Sequence, residues 1–369
     1  MSKKTILILT DHYLPCRTSG GPVITVQNMI HNYHDQYDFY IVCLNRDLDS
    51  KNEYAFKTNV FIDRDNYHCM YVKDFSSSVF DLLISYCFDV YYCLGTYSKY
   101  TRFFLKKKNQ KRIKKSILVI APMGNFSSGA LAIKRFKKKI FFTLFRRKFI
   151  SKKITWSFTS ELELDEARKV LGASVSKSHY YICPDPVLFN DNFLKIDNTP
   201  KNGLFVFVSR ICKKKGLLDG IKALKATNTP CSLDVYGSIE DEDYWNCCLD
   251  EAKHSNVCLL YKGEVKHEEI IDVFSRYSFF LFFTKGENFG HVVFESLNGG
   301  CLPIVTKSVT PWDSLLNSIY LYEDIRDNLG KVFELDEIEK RKIAEQSIMT
   351  AKRYFETANK ENFIKMIEE

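Results

Sequence analysis

The chain has 369 residues, 45% hydrophobic, 27% charged and 14% aromatic, which excludes a disordered or fibrous protein and, at this length, points to two cores of about 150 to 180 residues. Its formal charge of +8 sits in one place: residues 99–153 hold 19 Lys or Arg and no Asp or Glu, leaving 34 basic against 45 acidic side chains elsewhere. The 12 cysteines show no C-x-x-C and no Cys/His grouping at zinc spacing, and no apolar run approaches the roughly 18 residues a membrane span needs, so reduced thiols and a chain without a spanning helix are expected.

Along the chain, a basic start and the apolar run Ile6-Leu7-Ile8-Leu9 fall short of a secretory signal. Short β-branched and aromatic runs at 5–10, 39–44, 90–94, 117–121, 155–159 and 180–183 read as one strand series. Runs at 204–209, 232–236, 257–261, 279–284 and 302–306 read as a second. Most are continuously apolar, as strands covered on both faces of a parallel sheet are, and the stretches between them carry helical periodicity. An α/β unit therefore occurs twice: residues 1–186, a linker at 187–202 marked by Pro186 and Pro200, and 203–345. A helical pattern over 346–369 is expected to pack back on the first unit.

In doubly wound sheets ligands sit outside the carboxyl ends of the strands, so the loops there are the candidates. After the first strand come Tyr13-Leu14-Pro15 and Ser19-Gly20-Gly21-Pro22, where paired glycines before a helix let backbone approach an anion or simply make a turn. The loop after 204–209 carries Arg210 and Lys215, a planar fork of donors and a point charge suited to a diphosphate, though a solvated basic turn would look the same. The loop after 279–284 reads Thr284-Lys285-Gly286-Glu287-Asn288-Phe289-Gly290-His291-Val292, then Glu295, with a helix start expected near Gly290. Its positive end favours an anion, whereas Glu287 and Glu295 suit sugar hydroxyls on either side of one.

Glu287 and Glu295, with seven residues between them and Phe289-Gly290 inside, resemble the E-x7-E motif of the retaining GT-B glycosyltransferases of family GT4. Ser209-Arg210 with Lys215-Gly216 resembles that family's diphosphate loop. Tyr236-Gly237-Ser238, Tyr261-Lys262-Gly263-Glu264-Val265, Thr310-Pro311-Trp312, the Gly20-Gly21 loop and Ala121-Pro122-Met123-Gly124 resemble the bacterial branch that builds capsule and O-antigen polysaccharides. The resemblance implies two Rossmann-like domains facing across a cleft. It also implies Glu295 on the ribose, Glu287 and the backbone after Phe289 on the donor sugar, with Asn288, Phe289, Gly290, His291 and Val292 all donor-binding, and Arg210 and Lys215 on the diphosphate. The Gly20-Gly21 loop would close over the diphosphate, and the base would sit near Gly237 and Val265. Met123 departs from the His or Arg of the family, and Asp185-Pro186 from its Asn-Gly.

The implied reaction moves a sugar from a UDP- or GDP-sugar to a lipid-linked glycan, with no cofactor, no metal and no protein nucleophile; Glu287, Arg210 and Lys215 serve catalysis. Three Asp-x-Asp triplets, Asp47-Leu48-Asp49, Asp63-Arg64-Asp65 and Asp241-Glu242-Asp243, fit solvated surface better than metal binding. Ser160-x-x-Glu163 reads as a capping box, and packing or donor contact is as expected as proton transfer for His12 and His291.

The basic run 134–150 mixes cations with apolar residues at helical spacing, which suits an anionic leaflet through Lys137, Lys138, Lys139, Arg146 and Arg147 and places the protein on the inner face of the cytoplasmic membrane. Insertion is expected to be secondary, because part of Phe136, Phe141, Phe142 and Phe145 must cover the domain's own sheet. Nucleic acid would be attracted by the same charge but is not expected as the partner. A GT-B-like sugar-nucleotide epimerase and a nucleic-acid-binding protein are the competing readings.

Overall fold

The computed structural model describes residues 3–16, 20–48, 50–108, 111, 113–132, 135–150, 153–172, 175, 178–192, 203–358 and 360–369. Ser19 of the first loop, Lys134, Asp49 and the 193–202 part of the expected linker lie outside the described residues. The chain divides into two units, Met1–Pro186 together with Ala358–Glu369, and Val187–Thr357.

The first unit is built on strands β1 (Lys4–Leu9), β2 (Tyr37–Leu44), β3 (Phe61–Asp63), β4 (His68–Val72), β5 (Val90–Leu94), β6 (Ile117–Ala121), β7 (Thr155–Phe158) and β8 (His179–Ile182). They form one sheet in the order β3-β4-β2-β1-β5-β6-β7-β8, parallel throughout except for β3 against β4. Strand alternation divides β1 between two cores: Leu7 and Leu9 enter one with Trp156 and Phe149, Ile6 and Ile8 the other with Tyr33 and Phe39. Both faces of the central strands are covered, which is why most of the strand sequences are largely apolar.

The second unit carries β9 (Gly203–Val208), β10 (Cys231–Tyr236), β11 (Val257–Gly263), β12 (Tyr277–Phe282) and β13 (Leu302–Val305), all parallel, in the order β11-β10-β9-β12-β13. This is a Rossmann-like order, reversing direction between β9 and β12, and β4-β2-β1-β5-β6 repeats it in the first unit. All eleven expected strands are present, displaced by at most two residues. β3 and β4 were not anticipated: Phe61-Ile62 is too short a run to signal a strand, and β4 includes Cys69-Met70, weak in β-propensity.

Two expected boundaries need correction. Val187 is buried in the second unit's core and the Asn190 N–H donates to Asn298 Oδ1 at 2.9 Å, so Val187 and Asn190 already belong to that unit. The helical pattern at 346–369 is also not one helix. Glu337–Thr357 packs Ile343 and Ala351 into the second unit, whereas Lys360–Glu368 brings Phe363, Met366 and Ile367 to the first. Each half has its own apolar stripe, and the break lets each bury against a different core.

Phe363 stacks on Tyr33 at 4.5 Å between ring centroids and meets Tyr37 edge-on at 6.2 Å, while Lys4 pairs with Glu368 at 2.8 Å. Phe363→Ala should therefore lower the stability of the first unit by about 3–5 kcal/mol, read as lost hydrogen-exchange protection of β1 and β2 amides. Ile338→Ala, at an exposed site in the preceding helix, should change stability by less than about 0.5 kcal/mol.

Candidate active site

In the second unit the strand order reverses between β9 and β12, and the carboxyl ends of strands at such a switch point are the place where doubly wound sheets bind ligands. Backbone bonds join the loops after β9 and β12 into one surface. The Lys285 N–H donates to Lys214 O at 2.9 Å, and the Ile211 N–H to Ser238 O at 2.8 Å brings in the loop after β10. Two glycines make this closeness feasible. A Cβ on Gly216, at φ +73°, would lie 2.0 Å from Phe283 O, and one on Gly237, at φ +133°, 2.0 Å from Ser209 O.

Lys215 Nζ donates to Glu287 Oε1 at 2.8 Å, with both side chains only 12% exposed, and Thr284 Oγ1 donates to the same oxygen at 2.9 Å. The Glu287 N–H donates to Val309 O at 3.0 Å and Trp312 Nε1 donates to Phe289 O at 2.6 Å, which tie the loop down from its other side. Burial by itself pushes the Glu287 carboxyl up, but Lys215 and Lys214, with the bond from Thr284, outweigh it and hold its pKa below the ordinary carboxylate value.

The loop then enters the His291–Asn298 helix, capped by Gly290 in a left-handed conformation with no capping side chain. Gly290 itself brings no side-chain oxygen to the positive helix end, a place that favours an anion. His291 is buried with its ring edge-on to Phe289 at 4.9 Å. Glu295, one turn on, is buried too, and its pKa is raised by that burial; His267 and His291 pull it down less, with His267 Nδ1 3.6 Å from Glu295 Oε1. The two carboxylates of the spaced pair are thus shifted in opposite directions.

Arg210 is exposed at the mouth of this surface, its Nη1 2.8 Å from Glu240 Oε2. Gly237 accepts from Tyr261 Oη at 3.0 Å and donates to Gly263 O at 2.9 Å, and Val265 packs half-buried on the same core. Arg210, Lys215, Gly237, Val265 and residues 287–295 all belong to this one unit. Gly20 and Gly21 belong to the other, at the start of the Gly21–Tyr33 helix beyond β1, with Gly20 at φ +62° and no side-chain cap. Sequence reasoning did not nominate Glu240, Thr284 or His267: Glu240 and His267 sit in runs of polar residues and Thr284 closes an apolar strand run, so no periodicity singles any of them out.

Other nominated features have structural duties. Asp241 caps the Glu242–Lys253 helix by accepting from the Tyr244 N–H at 3.0 Å, Asp63 meets His68 Nδ1 at 2.7 Å, and Asp47 accepts from Cys16 Sγ at 2.8 Å. No cluster of three or more His, Cys, Asp or Glu fit for a metal occurs among the described residues. His12 Nδ1 meets Arg46 O at 3.1 Å. The capping box is half formed: Ser160 Oγ accepts from the Glu163 N–H at 3.3 Å, but the buried Glu163 carboxylate accepts from the N–H groups of Gly124 at 2.6 Å and Thr159 at 2.9 Å. It thereby holds the turn at Met123, φ +53°. Burial pushes its pKa up to about 7.

Residues 190–317 match the family described as glycosyl transferases group 1. No curated protein matches the chain. Among solved structures it is similar to sucrose-phosphate synthase from Thermosynechococcus elongatus, at 11% identity over 99% of this chain and 96% of that one, with a TM-score of 0.70. It is also similar to Anabaena Alr3699/HepE in complex with UDP and glucose, at 14% identity over 98% and 99% with a TM-score of 0.67. WaaG, a glycosyltransferase involved in lipopolysaccharide biosynthesis, aligns at 12% identity over 95% of each chain with a TM-score of 0.62. The fold is that of the GT-B proteins, two Rossmann-like domains.

Lys215→Ala should destabilise the second unit by about 3–5 kcal/mol by stranding a buried carboxylate, and Lys215→Met with Glu287→Gln should recover part of that. Because the folded pKa of Glu287 is depressed, the pair's contribution is complete above the ordinary value of 4.5 and is lost as pH falls through the lower folded value. The deficit of Lys215→Ala should shrink over that acid range in urea unfolding. Glu295 has the opposite sign: its raised folded pKa gives stability present below 4.5 and lost as pH rises through the folded value. Glu295→Gln should stabilise the ligand-free protein at pH 7 by about 1 kcal/mol, with no gain at acid pH.

Proposed function

We propose that this chain is a retaining glycosyltransferase that moves a sugar from a UDP- or GDP-sugar to a lipid-linked oligosaccharide during assembly of a cell-surface polysaccharide such as capsule or O-antigen. The observation that carries the donor half of this proposal is the spaced pair Glu287 and Glu295 flanking an uncapped helix start, with Lys215 held against Glu287. The match of residues 190–317 to a glycosyltransferase family and the GT-B fold support it, as does the likeness to a protein solved with UDP and glucose. The acceptor half draws support from the likeness to WaaG and from the basic first unit.

Departure of the diphosphate develops negative charge, and Arg210, Lys215 and the helix end at Gly290 would stabilise it without reorganising. Arg210 is shared with Glu240 in the ligand-free protein and would exchange that carboxylate for phosphate. Glu287, kept ionised by Lys215, is an acceptor for donor-sugar hydroxyls and steadies positive charge at the anomeric carbon. Glu295 would take the ribose diol, which supplies hydrogen-bond donors to a buried carboxylate. The acceptor hydroxyl attacks from the face the diphosphate leaves, passing its proton to the departing phosphate, so no protein nucleophile and no metal are required.

Arg210→Ala and Glu295→Gln should each weaken binding of the cognate nucleoside diphosphate by roughly 10- to 150-fold, the value of a lost charge-assisted hydrogen bond of about 1.5–3 kcal/mol. Calorimetry with UDP and GDP measures this, and transfer from the cognate sugar nucleotide should persist in EDTA. Unchanged affinity in both variants removes the proposed donor site, and activity restored only by Mg2+ or Mn2+ removes the metal-free mechanism.

A further inference from the structure

The Arg135–Phe149 helix of the first unit has two apolar faces. One is turned inward: Phe142 and Phe149 are buried in the core with Trp156, and Phe141 and Phe145 pack against the same cluster. The other consists of Phe136, Ile140 and Leu144, spaced i, i+4, i+8, and these are 82%, 61% and 72% exposed. Part of Phe136, Phe141, Phe142 and Phe145 was expected to cover the domain's own sheet: the last three pack on its core and Phe136 does not.

The cations divide in the same way. Lys138 faces inward, its Nζ 4.7 Å from the Tyr97 ring centroid and bonded to Ala130 O, and Arg146 Nε donates to Leu171 O at 2.9 Å. Lys137, Lys139, Arg147 and Lys148 are exposed and form no ion pair among the described residues. On a helix of 3.6 residues per turn, Lys137 and Lys148 border the exposed stripe on one side, Lys139 on the other, and Arg147 lies at its end.

We infer that Phe136, Ile140 and Leu144 form a stripe that inserts into the interface of an anionic lipid bilayer, with Lys137, Lys139, Arg147 and Lys148 on its phosphate headgroups. The inference goes beyond sugar transfer and stands without it. The occupant is chosen by complementarity. Two of the three stripe residues, Ile140 and Leu144, gain nothing against a polyanion such as RNA, where stacking needs the π face that Phe136 alone of the three offers. A second copy of the same face would bring the flanking cations together. A bilayer interface accepts both features at once, because acyl chains take the stripe and anionic headgroups take the border. It also reverses the expected weighting: the apolar stripe is a principal contact, and two of the five nominated cations serve the domain instead.

The test is co-sedimentation of the full-length protein with vesicles of three parts phosphatidylcholine to one part phosphatidylglycerol, and with phosphatidylcholine alone. Phe136→Ser with Ile140→Ser and Leu144→Ser should weaken partitioning to the anionic vesicles about 100-fold. Gln at Lys137, Lys139, Arg147 and Lys148 should weaken it about 1,000-fold. Neither set should lower the thermal midpoint, since no side chain involved is buried. Lys138→Gln with Arg146→Gln should partition within a few fold of the native protein. Equal binding of the native protein to neutral vesicles would overturn the inference, as would anionic-vesicle binding that survives the serine variant. Two further outcomes would also overturn it: a dimer that the serine variant dissociates, or single-stranded RNA binding by a chain that does not pellet with vesicles. Nucleoside diphosphate affinity should be the same in every variant, which keeps this result separate from that of the donor site.

Discussion

The second unit's site depends on the Lys215–Glu287 ion pair, which joins the loop after β9 to the loop after β12 at the point where the sheet reverses its winding. Two charges held at 12% exposure are expensive to remove from water, so the pair persists only because its surroundings complete it. Thr284 supplies a further donor to Glu287, and Gly216 lets the lysine loop lie against Phe283 at a separation no side chain would permit. The Gly290 helix start follows three residues after Glu287, so its direction is set by the same junction. A replacement that relaxed this pair would move the cation, the carboxylate and the helix end together.

From that junction the two carboxylates of the loop acquire different character. Glu287 has a lysine partner and stays charged; Glu295 has only imidazoles near it and is biased towards the neutral form by burial. A group that is uncomfortable when empty is suited to binding hydroxyl donors, because the ligand supplies the hydrogen bonds the protein withholds. Similar carboxylates with opposed environments mark a binding site more firmly than spacing alone.

The first unit handles polarity differently. Its aromatic interior is divided by the sheet into two cores, and a buried carboxylate, Glu163, holds the Met123-Gly124 turn through backbone N–H groups. Its surplus positive charge is gathered on one stretch of chain. Where that stretch is helical, packing against the core selects Phe141, Phe142, Phe145 and Phe149 and excludes Phe136, Ile140 and Leu144.

By itself the sequence determined the α/β class, eleven of the thirteen strands found among the described residues, the two-unit division and the loops worth inspecting. Those properties follow from local periodicity, from apolar runs that must be covered on both faces, and from motif spacing within one loop. Strands β3 and β4, the break between Thr357 and Lys360, and the partners of Arg210 and Glu295 were decided only by tertiary structure. So was the division of residues 136–149 into buried and exposed faces. Glu240 is 30 residues from Arg210, and Lys215 is 72 from Glu287. The charge on each was legible in the chain, but which opposite charge it meets, and whether water is excluded from the pair, depends on how strands distant in sequence become neighbours in the sheet.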